Sequence, residues 1–509
     1  MPMMGRIAAP VLAGAVVLNA VIAAIGGQPV VVPAPQEMTL TGGEFRTELP
    51  PKVEKVAAIP PEGYELSVTP KGVTVRHSDA AGLFYAEMTL AQLAWTDGGA
   101  KVYPCVEIKD TPAFGWRGVH IDECRHFFGK ERVKRIMELM AQHKLNRLHW
   151  HLTDDQGWRL DVPGYPELVK RGAVRDASPL HGTRPNVRKA KDCSKDLNGE
   201  KYGPFFYTEA DVREMIAYAA ERHITIVPEI ELPGHVYAVL AAYPEFACDP
   251  ERMKGKRPLC IWGIEKDVLC VGNDRAVKFM EDVLDYVCRL FPGNTVHIGG
   301  DECPTVRWKT CPKCRARIAA EGLKDENDLQ PWFTRRFLKF IEARGKRVVG
   351  WDEYLLGDVP KSAIGMSWRA GGGGAGHKFL TPLECVTRGH DLVMTPKYFC
   401  YFDYGQGLEA DPFQYWGGCV TLEKAYSFDP CEGIPPELRG HILGGQCNNW
   451  SEYTWNEYDL DWKMWPRTCA LAEVLWTGEK RPGFDDFKRR MATHRRRLIA
   501  QGVNCAPLE

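Results

Sequence analysis

The stretch TVHIGGDECP, residues 295–304, sets two carboxylates side by side, Asp301 and Glu302, at the end of an apolar, β-branched run and directly after two glycines. Acids in such a place cost stability unless something uses them. Hydrolysis of a glycosidic bond is one use, and its usual retaining form needs two carboxyl groups about 5–5.5 Å apart across the scissile bond. Neighbouring strand residues point to opposite faces, so adjacent acids suit that form poorly. They fit better as one proton donor, Glu302, and one acid, Asp301, that contacts another part of a substrate. Gly299 and Gly300 remove Cβ bulk, which lets substrate or a neighbouring loop approach closely.

Eight apolar runs read as strands: 116–122, 145–153, 224–230, 295–300, 347–352, 363–368, 391–396 and 441–449. Amphipathic helices are predicted between many of them. Residues 129–144 carry an apolar stripe at 133, 136, 137 and 140, residues 208–223 open on a Thr-x-x-Asp cap, and 273–291 open on an Asn cap. Strands alternating with helices predict the α/β class and a (β/α)8 TIM barrel over residues 111–480. A doubly wound sheet is the rival, but no Gly-x-Gly-x-x-Gly turn follows the first strand. GGGGAG (371–376) lacks the Lys-Ser/Thr of a phosphate loop and reads as a plain loop. Residues 28–110 read as a small N-terminal α/β domain, and 481–509 as a C-terminal helix packed on the barrel, its basic run a solvated face.

Barrel enzymes place working groups where strands end. The eight ends carry Asp122 and Arg125; His149, His151, Asp154 and Asp155; Glu229, Glu231 and His235; Asp301 and Glu302; Trp351, Asp352 and Glu353; Trp368; Tyr401 and Asp403; and Asn449, Trp450 and Glu452. Aromatic walls with carboxylate acceptors and a forked Arg donor suit a sugar, whose C–H faces stack on rings and whose hydroxyls hydrogen-bond.

HIGGDE (297–302), the run from Arg125 to Arg159, PEIELPGH (228–235), VVGWDE (348–353) and WSE (450–452) together resemble the family 20 glycoside hydrolases, the exo-acting β-N-acetylhexosaminidases. The resemblance covers almost the whole chain after the apolar leader 1–27, and VVPAPQ (31–36) resembles the start of that family's small N-terminal domain. It implies substrate-assisted retention, in which the substrate's 2-acetamido oxygen attacks C1 and gives an oxazolinium intermediate. It further implies Glu302 as general acid/base, its pKa raised by burial and by Asp301. Asp301 would orient the acetamido N–H and Tyr401 would bond the acetamido oxygen. Trp351, Trp368 and Trp450 would wall the pocket. Arg125, Asp403 and Glu452 would hold sugar hydroxyls, and Asp154 and His235 would support the acid. Glu231 departs from the family, which often has Asp there.

Two other readings compete. His149 and His151 resemble an HxH metal pair of a metal-dependent barrel hydrolase, although the later strands end in Trp rather than ligands. A carbohydrate-binding protein without catalysis is the other, against which the intact acid pair speaks. The expected partner is an oligosaccharide or smaller substrate ending in β-N-acetylhexosamine, with no cofactor and no catalytic metal. A formal net charge of −1 gives no electrostatic case for nucleic acid.

Residues 1–27 combine Arg6, an apolar run and small residues, which reads as a signal peptide and an exported protein (periplasmic, cell-surface or extracellular). An uncleaved membrane anchor is the other reading of the same run. Seventeen cysteines favour some disulfides in such a protein. Cys303, Cys311 and Cys314 cluster in sequence, as local disulfides or free thiols rather than as metal ligands, since no fourth ligand is evident. Cys248, Cys260 and Cys270 are disulfide candidates in one loop.

Overall fold

The computed structural model describes residues 29–46, 50–183, 196–369, 379–409, 411–412 and 418–508. The leader, the GGGGAG loop and Cys193 lie outside these residues. Each of the eight apolar runs forms a strand: Trp116–Asp122, Arg147–His151, Thr225–Glu229, Thr295–His297, Arg347–Trp351, Ile364–Ser367, Asp391–Met394 and Ile442–Asn449. They pair in parallel in chain order, and the eighth pairs the first to close a barrel. The expected TIM barrel is therefore the fold.

Strands buried on both faces need continuous apolar runs. Trp116, Val227, Val349, Trp351, Ile364, Met366 and Val393 form a compact cluster of their own. A far larger core holds the helices to the strands' other face. Val133, Ile136, Met137 and Met140, the expected stripe of the helix Lys130–Gln142, are all buried. The helix Glu209–Ala220 has a full capping box between Thr208 and Asp211, and Asn273 caps Asp274–Leu290. No helix among the described residues is long and apolar enough to cross a membrane.

Ahead of the barrel lies a six-stranded sheet running from Glu37 to Asp110. The helix Ala80–Leu93 covers it around Leu66, Val68, Tyr85 and Ile108. Trp476, from the barrel helix Arg467–Thr477, inserts into this second core. Beside it a fully buried Lys144 donates to Asp110 Oδ2 at 2.8 Å and to Tyr64 Oη at 2.9 Å, and Trp476 Nε1 donates to both oxygens of Asp110 at 2.9 Å. Burial pulls the Lys144 pKa down, and Asp110 works against that pull.

The C-terminal helix, Phe484–Ala500, departs in part from the expected solvated face: Arg489 and Arg496 are exposed, but three other arginines turn to the protein. Arg490 grips both oxygens of Glu473 and reaches Val31 O. Arg497 donates to Val30 O and Arg495 to Ala506 O. These arginines satisfy backbone carbonyls of the N-terminal segment and of the chain's own end, a use that a charge run does not reveal in sequence.

The Lys144–Asp110 pair yields a stability prediction. Breaking a buried pair from one side leaves an uncompensated charge and costs about 3–5 kcal/mol. Asp110→Ala should lower the free energy of unfolding by that amount, read as a fall in the urea midpoint with the m-value unchanged. A change within experimental error would mean that the contact does not hold the two domains together.

Candidate active site

The three barrel strands Trp116–Asp122, Arg147–His151 and Thr295–His297 send His120, His149, His151 and His297 around one buried carboxylate, Glu229, which ends the strand Thr225–Glu229. His151 Nδ1 bonds Glu229 Oε2, His149 Nε2 lies 3.0 Å from the same oxygen, and His297 Nδ1 lies 2.9 Å from Oε1. Trp351 Nε1 donates to Oε1 at 2.8 Å, which fixes the plane of that indole. Burial pushes the Glu229 pKa up, but the surrounding imidazoles outweigh it and hold it well below the carboxylate range. Burial lowers His149 to about 4, so it is neutral. Burial also opposes charge on His151, yet Glu229 and Asp154 lift it to about 10. The HxH pair therefore sits sealed beneath the mouth on Glu229, with His149 Nδ1 taken by Gln446 at 2.8 Å, rather than at an open strand end.

From His151 the chain of contacts rises to the mouth. Its Nε2 lies 2.8 Å from Asp154 Oδ2, which also meets Arg125 at 2.8 Å. Arg125 adds Asp122 at 3.2 Å and Gln156 at 2.9 Å, and its guanidinium lies 5.2 Å from the Trp450 ring centre. His235 closes the other side: Nδ1 is 3.1 Å from Asp155 and 3.4 Å from Asp154, while Nε2 is 3.6 Å from Glu302 and 3.7 Å from Asp301. Burial opposes charge on His235, but Asp154, Asp155 and Glu302 hold its pKa well above the ordinary value. It is an imidazolium standing between two pairs of acids.

Those acids sit on a left-handed turn, with φ +60° at Gly299, +98° at Gly300 and +45° at Glu302; His235 is at +47°. A Cβ on Gly299 would lie 1.8 Å from Glu231 Oε2, so a neighbouring loop's carboxyl occupies the space this glycine leaves. Gly234 serves the same end, since its Cβ would lie 3.0 Å from Asp301 O and 3.3 Å from Cys303 Cβ. Cys303 is thus a packing residue between the two loops. The Asp301 side chain is 14% exposed and that of Glu302 is 36% exposed, which puts one acid deep and the other at the lip. Burial lifts the Asp301 pKa to about 6; His235 pulls it back and Glu302 adds to the rise.

Aromatic rings form the wall. Trp351 and Trp450 lie 5.5 Å apart, Trp368 stacks on Tyr401 at 6.1 Å, and Tyr401 lies 6.5 Å from Trp450. Asp403 and Glu452 lie close enough for their charges to interact. Burial first and Glu452 second push Asp403 up to about 7. Burial also raises Glu452, against the pull of Arg125. Asp301 Oδ1 and Asp403 Oδ1 are buried and meet no hydrogen-bond donor among the described residues.

Arg125, Asp154, His235, Asp301, Glu302, Trp351, Trp368, Tyr401, Asp403, Trp450 and Glu452 thus come together at one mouth, supplied by all eight strand ends. Sequence reasoning gave no role to Glu229, Asp155 or Glu353. Glu353 accepts from Trp368 Nε1 at 3.0 Å, and burial and then Asp352 and Asp301 raise its pKa well above normal. A signal for Glu229 existed: histidines stand toward the ends of three barrel strands, and an acid ends the strand Thr225–Glu229 between two of them.

This is a (β/α)8 barrel whose mouth is lined by acids and aromatic rings. Residues 114–479 match the model of the glycosyl hydrolase family 20 catalytic domain, and residues 49–111 match domain 2 of that family. The chain belongs to glycosyl hydrolase family 20. It is 40% identical to a beta-hexosaminidase of Porphyromonas gingivalis over 89% of this chain and 55% of that protein. It is 32% identical to a beta-hexosaminidase of Akkermansia muciniphila over 96% of this chain and 94% of that protein. The chain spans between half and two thirds of the length of the first two curated relatives it matches. Among solved structures, a Vibrio harveyi GH20 exo beta-N-acetylglucosaminidase in complex with N-acetylglucosamine superposes with a TM-score of 0.81 at 28% identity, covering 95% of this chain and 80% of that one.

If Glu231 fills the space above Gly299, the two positions must couple. Gly299→Ala alone should destabilise through both the clash and the left-handed backbone. Combined with Glu231→Ala it should cost less than the sum of the single changes, by on the order of 1 kcal/mol. Strict additivity in denaturant melts would refute the contact.

Proposed function

We propose that the protein is an exo-acting β-N-acetylhexosaminidase that removes terminal non-reducing β-linked GlcNAc or GalNAc by substrate-assisted retaining hydrolysis. The carrying observation is the division of the acid pair around His235: Asp301 deep, with an oxygen that meets no donor among the described residues, and Glu302 at the lip. Family membership and the names of the relatives support the same reading.

Glu302 gives its proton to the leaving glycosidic oxygen as the substrate's acetamido carbonyl oxygen attacks C1. The C1–O bond breaks and an oxazolinium forms. Asp301, ionised, accepts the acetamido N–H and stabilises the positive charge growing there. Tyr401 donates to the acetamido oxygen and aims it. Water then attacks C1 while the Glu302 carboxylate takes its proton, reopening the ring with retained configuration. Trp351, Trp368 and Trp450 enclose the acetamido methyl and the sugar ring. Arg125, Asp403 and Glu452 bind the hydroxyls of the terminal sugar, which suits an exo mode. Asp154 and His235 hold the acid in place. Export belongs to this reading and rests on the apolar leader 1–27 with its small-residue tail; membrane anchoring through that leader is its variant.

On an aryl β-GlcNAc substrate, Glu302→Gln should lower kcat/KM by about 10²–10⁴, and Asp301→Asn by about 10²–10³. An aryl β-glucoside, which lacks the acetamide, should turn over more than about 10³-fold slower, because the intramolecular nucleophile is gone. Comparable rates on the two substrates, or full activity in either variant, would overturn the proposal.

A pH dependence follows as well. Asp301 must be ionised to accept the acetamido N–H, and its pKa is raised to about 6. Activity is then present above that value and is lost as pH falls through it. A kcat/KM profile should show an acidic limb near pH 6 that Asp301→Asn abolishes; a limb that survives the substitution unchanged belongs to another group.

A further inference from the structure

The cysteines regroup in the fold. Cys303, which stands beside Cys311 and Cys314 in sequence, packs on Gly234 instead. Cys311 and Cys314 are joined by Cys248 and Cys270 from the preceding βα loop. Cys248 Sγ lies 3.8 Å from Cys314 Sγ, and Cys270 Sγ lies 3.7 Å from both Cys311 Sγ and Cys314 Sγ. All four sulfurs lie within 4.8 Å of one another, and all but that of Cys248 belong to buried residues.

These separations distinguish the possible chemistries. A disulfide holds its sulfurs about 2.05 Å apart, and none of these contacts approaches that. A tetrahedral zinc with bonds of about 2.3 Å to four thiolates sets its ligands about 3.8 Å apart along each edge. From this match we infer that Cys248, Cys270, Cys311 and Cys314 form a structural tetrathiolate zinc site, separate from the mouth of the barrel.

The local chain geometry is that of a built site. An antiparallel bridge between Ala247 and Leu269, with Cys270 N donating to Phe246 O at 2.9 Å, sets Cys248 and Cys270 side by side. Trp308 Nε1 donates to Leu269 O at 2.9 Å and draws the following loop onto this ladder. Cys311 is the N-cap of the nine-residue helix Pro312–Ala320, so its sulfur and that of Cys314 stand at a helix N-terminus, where negative charge is favoured. A Cβ on Gly272 would lie 2.3 Å from the Lys313 carbonyl group and 2.4 Å from Cys314 N, which shows how tightly the turn after Cys270 presses on the Cys-Pro-Lys-Cys turn. A zinc with four thiolates carries two negative charges. Of the basic residues at 304–320, Arg307, Lys309 and Arg317 pair with Asp267, Glu326 and Asp274, whereas Lys313 and Arg315, on either side of Cys314, complement that charge.

The site would tie together the two loops that carry His235 and the Asp301–Glu302 turn. Its role is positioning and stability; no ligand faces the reacting atoms.

The test is metal analysis of the full chain purified with reductant and without chelator. One zinc per chain is expected. Cys270→Ser and Cys311→Ser should fall to the background of the assay, while Cys303→Ser keeps its zinc. Cobalt taken up in place of zinc should show the intense visible bands of tetrahedral thiolate coordination, a readout independent of glycosidase activity. Should the serine variants fail to fold, the metal content and cobalt spectrum of the unaltered chain still decide. Less than about a tenth of a zinc per chain after incubation with zinc, stoichiometric iron in its place, or Cys248–Cys314 or Cys270–Cys311 disulfides in mass mapping would each overturn the assignment.

Discussion

A carboxylate sealed inside a barrel must be neutralised where it stands, because the cost of burying an unpaired charge exceeds any packing gain. Glu229 imposes that constraint here. Its partners cannot come from solvent, so the barrel strands supply them, and the charged form of His151 is the direct consequence. His151 then needs Asp154, and Asp154 needs Arg125 and His235. The anions Asp122, Asp154 and Glu229 are matched by the cations Arg125, His151 and His235. Each is held by the next, so the network runs without a break from the barrel interior to its mouth. Breaking it at any member strands a charge in a medium that screens poorly.

The mouth inherits its electrostatics from this network. His235 faces Asp154 and Asp155 on one side and Asp301 and Glu302 on the other, and its positive charge is what allows two adjacent acids to share so small a space. Burial still wins at Asp301 and raises its pKa, because the imidazolium is shared among several carboxylates. Asymmetric exposure then separates the roles. The deep acid is suited to a fixed ionic contact, and the lip acid to exchanging protons with a leaving group and with water. Left-handed backbone at Gly299, Gly300 and Glu302 turns both side chains toward the same imidazole, which an extended strand, alternating faces, could not do.

The barrel was legible in sequence because strands covered on both faces leave continuous apolar runs, and all eight runs stand within a few residues of their strands. The site's residue types were legible for a related reason: polar groups at the ends of such runs are conspicuous. Long-range pairings were not. Asp154 and Asp155 are neighbours, yet Asp154 serves Arg125 and His151 as well as His235, while Asp155 meets only His235 of these three, and only the fold shows the difference. The reason for two glycines was half visible. A close approach was expected, but its author at Gly299 is Glu231, a residue that stood out only as a departure from the family. Arg489 and Arg496 keep the expected solvated face, whereas Arg490, Arg495 and Arg497 leave it for backbone carbonyls, which no pattern of side chains announces.

The cysteines carry the same point to the loops. Sequence proximity joined Cys303 to Cys311 and Cys314, whereas the fold trades Cys303 for Cys248 and Cys270. The exchange has a physical logic. Two βα loops must meet closely enough for Gly234 to touch Asp301 O and for Glu231 to lie over Gly299, and loops are ordinarily the least stable parts of a barrel. His235 and Glu302, one on each loop, also hold unfavourable positive-φ backbone that persists only where its surroundings over-determine it. A four-thiolate clip at the outer ends of those loops, with the Ala247–Leu269 bridge and the Trp308 bond beside it, supplies that over-determination at a distance. The strain at the mouth and the clip behind it are two ends of one arrangement: the first sets the geometry of the acid pair, and the second keeps the loops from relaxing out of it.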